Sequence, residues 1–185
     1  QFILEKVPAW LEQYGENTAF FCTNDAHTEP LLKRVAELGG YFIEADLPSP
    51  TMGYPGALAV QITENEKGDW PAILDKVEDK VLEKGGSGRM GTWAYSFGYS
   101  TTTALAEHAK RVIEGHADLL NMDDVMDAYQ KYTPGAGWNG SLYVGAFGIE
   151  RDNFILVYQD TYVFGKGYMG MTDLKVPTKY FEVGQ

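Results

Sequence analysis

TAFFCTNDAHTEPLLKRVAELGG, residues 18–40, is the stretch from which the fold is read. Residues 18–23 are apolar and aromatic enough for a short strand. The run ends in six side chains able to hydrogen bond or titrate: Thr23, Asn24, Asp25, His27, Thr28 and Glu29. Leu31, Leu32, Val35, Ala36 and Leu38 then recur at helical spacing until Gly39 and Gly40. Pro30 suits the first helical turn, which has no internal hydrogen bond to lose. Strand-to-helix turns are polar in any protein, because they run over the surface and supply caps. The same turn, lying just past a strand's carboxyl end, is also where a ligand would be met.

Outward from this unit, helices and strands continue to alternate. Before it, Phe2, Ile3, Val7, Trp10, Leu11 and Tyr14 follow a helical spacing up to Gly15, with Pro8 removing one backbone donor on the way. Because Gln1 is no initiator and the helical pattern is already under way, the chain reads as starting inside an element, as a processed, truncated or proteolysed product does. After it, residues 41–45 and 58–62 read as strands on either side of the turn-rich LPSPTMGYPG. Trp70, Ile73, Leu74, Val77, Val81 and Leu82 form one face of a helix capped by Asp69 and stopped at Gly85. Residues 92–97 predict a strand, and Leu105, Ala109, Val112 and Ile113 a helix capped by Ser100 or Thr101 and closed at Gly115. Asn121 starts a further helix, with Met122, Val125, Met126 and Tyr129 on its apolar face, ending before Pro134. SLYVGAFGIE and NFILVYQDTYVF then predict a hairpin turning at the charged ERDN.

This alternation predicts an α/β fold: a mostly parallel sheet with helices on both faces and a late antiparallel hairpin. In such sheets ligands bind outside the carboxyl ends of the strands. Three loops would converge there: residues 24–29, 48–54 and 95–99.

Composition narrows the function classes. At 185 residues the chain supports one sizeable domain or two small ones. Its net charge of −11 disfavours nucleic acid and anionic lipid, whose binders need a dense basic face. Cys22 is the single cysteine, so no internal disulfide or multi-cysteine metal site is available. No apolar run approaches the roughly 20 residues that span a bilayer, and the opening residues do not read as a signal peptide.

Each candidate site residue has two readings. Asp25 either accepts amides at the turn or contacts ligand. His27 can titrate, hold a metal or serve as an exposed cap, and Glu29 complements the helix dipole. Pro48, Pro50 and Pro55 stiffen a loop that presents Met52 and Tyr54 as a ligand wall or as packing over the sheet end. Trp93 and Tyr95, two residues apart, share a face if that segment is a strand, and the face is core or cleft. Gly86, Gly88 and Gly91 satisfy G-x-G-x-x-G, but they follow a helix and precede a strand, the reverse of a dinucleotide site. No Walker, H-E-x-x-H or G-x-S-x-G motif occurs. His108 and His116 are spaced too far apart for a one-turn metal pair, so neither a cofactor nor a metal is expected.

TAFFCTND followed by AHTEPLLKRVAELG resembles the strand, Asn-Asp turn and helix of the carboxyl-terminal lobe of type I periplasmic solute-binding proteins. With FILEKVPAWLEQYG before it, PSPTMGYPGAL after it and EKGGSGRMGTW further on, the chain is similar to an uncharacterised family of lipoproteins known only as a domain of unknown function. The resemblance implies that residues 1–185 form the carboxyl-terminal portion of a two-lobe protein whose amino-terminal lobe is absent here. It also implies an extracytoplasmic receptor that is not an enzyme, holds a small solute between lobes and delivers it to an ABC-type permease. Asn24, Asp25, His27, Met52, Tyr54, Trp93 and Tyr95 would be the ligand-binding residues. In the sugar-binding relatives the Asp of the Asn-Asp pair holds a ligand hydroxyl, a role that carries over to Asp25. The small helix-start residues of those relatives are replaced by His27, Thr28, Glu29 and Pro30. A hydrolase or lyase using Asp25, His27 and Glu29 is the alternative, and a regulatory ligand-sensing domain a third reading.

Overall fold

The computed structural model describes residues 1–43, 49–145 and 148–170. Ala45, Pro48 and the end of the tail lie outside the described residues. Helix α1 spans Phe2–Tyr14 and runs through Pro8. The proline has no N–H to give the carbonyl of Leu4, and the Arg34 side chain donates to that oxygen instead, at 3.1 Å. Arg34 belongs to α2 (Thr28–Leu38), so the donor missing from one helix is supplied by its neighbour.

The remaining helices are α3 (Tyr54–Leu58), α4 (Trp70–Glu83), α5 (Phe97–Ile113) and α6 (Met122–Tyr132). The predicted caps of α4 and α6 are present. Asp69 accepts from the Ala72 amide at 3.2 Å, and Asn121 from the amides of Asp123 and Asp124 at 2.9 and 3.4 Å. Helix α5 starts earlier than its sequence signals, at Ser96 rather than Ser100 or Thr101. The strand expected over residues 92–97 is thereby cut to β1, Gly91–Thr92. The strand expected over residues 58–62 is absent: Pro55 sits in the first turn of α3, and Ala59 ends that helix in the left-handed conformation at φ 56°.

The mostly parallel sheet with helices on both faces does not form. The sheets among the described residues are two and antiparallel: β1 with β4 (Tyr162–Val163) and β5 (Gly167–Tyr168), and the hairpin of β2 (Trp138–Val144) with β3 (Glu150–Gln159). Among the described residues, parallel pairing is confined to the isolated bridges Ala19–Tyr41 and Phe42–Met90. The expected strands are interrupted before a ladder can extend. Asn24 turns one segment into a helix, while Gly39 and Gly40, at φ 104° and 86°, bend the chain immediately before Tyr41.

The late antiparallel hairpin does form, with its turn displaced. Glu150 and Arg151 pair inside β3, opposite Val144 and Tyr143. The reversal lies at the glycine-bearing segment before them, where the Gly145 amide donates to Ile149 at 2.9 Å and Gly148 takes φ 71°. A left-handed turn position favours glycine over the charged residues of ERDN.

The larger core gathers Val7, Leu32, Val35, Phe42, Tyr54, Val77, Val81 and Phe164 from α1–α4 and the extended segments. A smaller one, Ala104, Val125, Ala128 and Tyr129, joins α5 to α6, and Trp138 packs against both. Arg89 ties two helix ends together by donating to the carbonyls of Gly40 at 2.8 Å, Gly85 at 3.0 Å and Val35 at 3.4 Å. Glu107 does the same between α5 and α6, accepting from Arg111 at 2.9 Å, Lys131 at 2.7 Å and Tyr132 at 3.2 Å.

Candidate functional site

The Asn-Asp turn is built by its own side chains. Asn24 is extended, and its amide oxygen accepts from the Ala26 N–H at 2.9 Å, which nucleates the 3-10 turn Asp25–His27 that runs into α2. Asp25 and His27 remain exposed, while Thr28 is buried with a hydroxyl that has no hydrogen-bond partner among the described residues. The second predicted loop lies against this turn. A Cβ on Gly53 would stand 2.9 Å from Thr28 Cγ2, so the close approach requires glycine there, at φ 76°.

From Gly53 the chain dives inward. Met52 is half-buried against the core, and Tyr54 is fully buried, with its hydroxyl donating to the Gly91 carbonyl at 2.7 Å and its ring edge-on to Phe164 at 5.1 Å. Trp93 is also buried, 5.9 Å from Phe97 and 6.1 Å from Trp138 by ring centroids. Of the seven residues singled out in the sequence, three thus form an exposed rim at the start of α2, while Met52, Tyr54 and Trp93 pack into the interior. Tyr95 goes elsewhere.

Tyr95 lines a cleft of about 300 Å³ together with Pro71, Leu74, Asp75, Ala94, Pro134, Tyr162 and Tyr168. Helix α4 supplies the first three of those partners, and the segment after β1 supplies Ala94 and Tyr95 itself. Antiparallel pairing places Tyr162 of β4 opposite Tyr168 of β5. Their rings meet at 5.2 Å and 87°, forming a right-angled aromatic corner. Tyr95 is pinned from both ends: its amide donates to Gln159 Oε1 at 3.1 Å and its hydroxyl to the Pro134 carbonyl at 2.9 Å. Tyr162 donates to Glu78 at 2.8 Å, and Glu78 also accepts the Gly165 amide at 2.6 Å. Asp160 is buried and accepts from the Gly170 amide at 2.6 Å.

Burial, followed by the Glu78 carboxylate, pushes the Tyr162 phenol up to about 12. Burial, then Tyr95, Tyr162 and Asp160, raises Tyr168 further, and burial with Tyr99 raises Tyr95. All three phenols therefore stay neutral at physiological pH, able to stack and to donate but not to act as phenolate bases.

Sequence reasoning missed Asp75, Tyr162 and Tyr168, because the tail carried no helical pattern and the pairing that joins it to β1 is long-range. The available signal was the density of aromatic residues in YVFGKGY. A second, wholly different concavity of about 510 Å³ lies between α5, α6 and the hairpin, lined by apolar side chains such as Leu105, Leu119, Met122 and Ile155 and by the buried His108. The glycines of G-x-G-x-x-G have no amides to spare: those of Gly86, Gly88 and Gly91 donate to Val81, Phe164 and Phe42. Among the described residues, no three His, Cys, Asp or Glu side chains cluster as metal ligands would. No described helix is long and apolar enough to cross a membrane.

The family profile "Protein of unknown function (DUF3798)" matches residues 1–91, and a second profile, with no functional description, matches residues 102–183. An uncharacterized protein of Treponema pallidum (strain Nichols) is 30% identical over 82 residues, which make up 92% of that protein and 43% of this chain. The chain belongs to a family of proteins of unknown function. Another uncharacterized T. pallidum protein is 36% identical over 81 residues, and there the match spans 44% of this chain and only 35% of the relative. Among solved structures, the family member described here is similar to a protein of Clostridium difficile 630 described as a candidate transcriptional regulator. The TM-score is 0.74 at 21% identity, over 89% of this chain and 46% of that one. At that identity the likeness is one of fold.

Proposed function

We propose that this chain is the ligand-binding part of a solute receptor and that the Tyr95 cleft takes a small molecule. The observation that carries the reading is the convergence of Tyr95, Tyr162 and Tyr168, from three separate segments, around a cleft of about 300 Å³ edged by Asp75. That volume is at the lower end of the range for small-molecule sites, and three neutral phenols offer flat faces with few competing charges. Placement outside the cytoplasm, attachment as a lipoprotein and hand-over of the solute to an ABC-type permease belong to the same proposal, as does the absence of catalysis. The exposed rim of Asp25 and His27 would serve as a partner or second-lobe contact rather than as the cleft wall.

A thermal-shift screen of sugars, nucleosides, amines, amino acids and short peptides tests the reading. A ligand at about 100 times its dissociation constant adds about 2.7 kcal/mol. Hits that disappear in Tyr168→Leu and Asp75→Asn support the cleft. A silent screen on folded protein, or hits indifferent to both variants, overturns it. Turnover lost in Asp25→Asn would favour the hydrolase or lyase instead.

The likeness to the C. difficile protein favours a second reading, a ligand-sensing domain of a regulator. It shares the cleft and differs in the output: ligand would change the DNA affinity of a longer protein rather than transport.

A further inference from the structure

Resting on the receptor reading, we propose that the Tyr95 cleft selects a small organic ammonium ion, primary or quaternary, held against the Tyr162–Tyr168 corner with Asp75 as its counter-charge. The two rings meet edge to face at 5.2 Å and 87°, and both line the cleft together with Tyr95, so aromatic surface borders it from three segments. A cation over such faces is attracted by the ring quadrupoles, most strongly where water is excluded. A neutral ligand gains stacking area alone.

The charges around the corner point the same way. Asp75 lines the cleft and is exposed, and among the described residues it makes no ion pair. The neighbouring cations of α4 are already committed, Lys76 to Glu66 and Lys80 to Glu83, each at 2.5 Å. Glu78 accepts from the Tyr162 hydroxyl at 2.8 Å and Asp160 lies two residues before Tyr162, so two further carboxylates belong to the segments that build the corner. Among the described residues the lining contains no Lys or Arg, and the chain as a whole carries −11. A carboxylate or phosphate ligand would meet repulsion from Asp75 with no cation of the described lining to offset it, whereas an ammonium ion meets attraction.

Isothermal titration of the purified chain with choline and with n-butylammonium tests the inference, with 3,3-dimethylbutan-1-ol, the uncharged isostere of choline, as the comparison. At least one cation is expected to bind, with the alcohol ten-fold weaker or more. Tyr168→Leu should weaken the cation roughly 10- to 30-fold while Tyr168→Phe, which keeps the ring, stays within about three-fold. Since Tyr168 also pairs in the sheet, Asp75→Asn at an exposed helix position gives an independent reading and should weaken binding about five-fold. Equal affinity for the alcohol, or cation binding unchanged in both Tyr168→Leu and Asp75→Asn, overturns the proposal. So does failure of both cations to bind. If neither cation binds but a neutral compound does, and needs Tyr168, the receptor reading stands and the ammonium assignment falls. If nothing binds, both fall.

Discussion

Tyr54→Phe separates a core role from a ligand-wall role at the residue where the two readings conflict. The side chain is fully buried, and its hydroxyl donates at 2.7 Å to the carbonyl of Gly91. That carbonyl sits where β1 begins, on a residue whose own amide donates to Phe42 at 3.0 Å. Deleting the hydroxyl leaves the ring, its edge-on contact with Phe164 and nearly all the apolar burial intact. What is lost is one net hydrogen bond, together with the desolvation cost of a buried carbonyl left without that donor. Such a loss amounts to about 1–3 kcal/mol. For a chain of this size each kcal/mol lowers the melting temperature by about 2–4 °C. Urea unfolding should show a lower midpoint at unchanged slope, because no additional surface is exposed on unfolding. Ligand affinity, measured on folded protein, should not change. A stability change below about 0.5 kcal/mol accompanied by altered ligand affinity would refute the core assignment and return Tyr54 to the cleft.

Asn24→Ala should cost about 1 kcal/mol by removing the acceptor for the Ala26 amide, with the loss of helix signal at the start of α2 visible by amide exchange. Arg89→Lys should destabilise by about 1–3 kcal/mol, since a single ammonium cannot reach the three carbonyls that the planar guanidinium serves; urea midpoints check this. Hydrogen bonds from Lys131 and then Arg111 hold the Glu107 carboxyl down at about 2, below its ordinary value of 4.5. A depressed folded-state value means the stabilisation is present above about 4.5 and is lost as pH falls towards 2. Glu107→Gln should therefore flatten the acid limb of stability against pH between those values, and an unchanged limb would place the acid sensitivity elsewhere.

Elements whose cause is local were legible from the sequence. Helices α2, α4 and α6 carry their own apolar stripes and stops, and α4 and α6 also carry side-chain caps at Asp69 and Asn121. The hairpin could be read too, from its two β-branched and aromatic segments, although its turn went to the glycines rather than to ERDN. The candidate site was legible only in part. Asn24, Asp25 and His27 were correctly located at the start of a helix, whereas Tyr95, expected at an interlobe cleft, is a buried core residue that borders a different concavity whose other partners were not found.

Periodicity reports which residues want burial, not which segments will pair. It could not show that residues 18–23 and 41–43 pair through the single isolated bridge Ala19–Tyr41, or that β1 would pair with Tyr162–Val163 from the far end of the chain. Nor could it decide between core and cleft for neighbours as alike as Trp93 and Tyr95, because both are large aromatic residues on one short segment. The caps at Asp69 and Asn121 and the apolar spacing of α2, α4 and α6, whose causes lie within one helix, were determined by the amino-acid sequence alone, whereas the start of α5 was not. Strand pairing, the Tyr162–Tyr168 corner and the assignment of each tyrosine to core or cleft came only with the tertiary structure, since each depends on hydrogen bonds and ring contacts between segments distant along the chain.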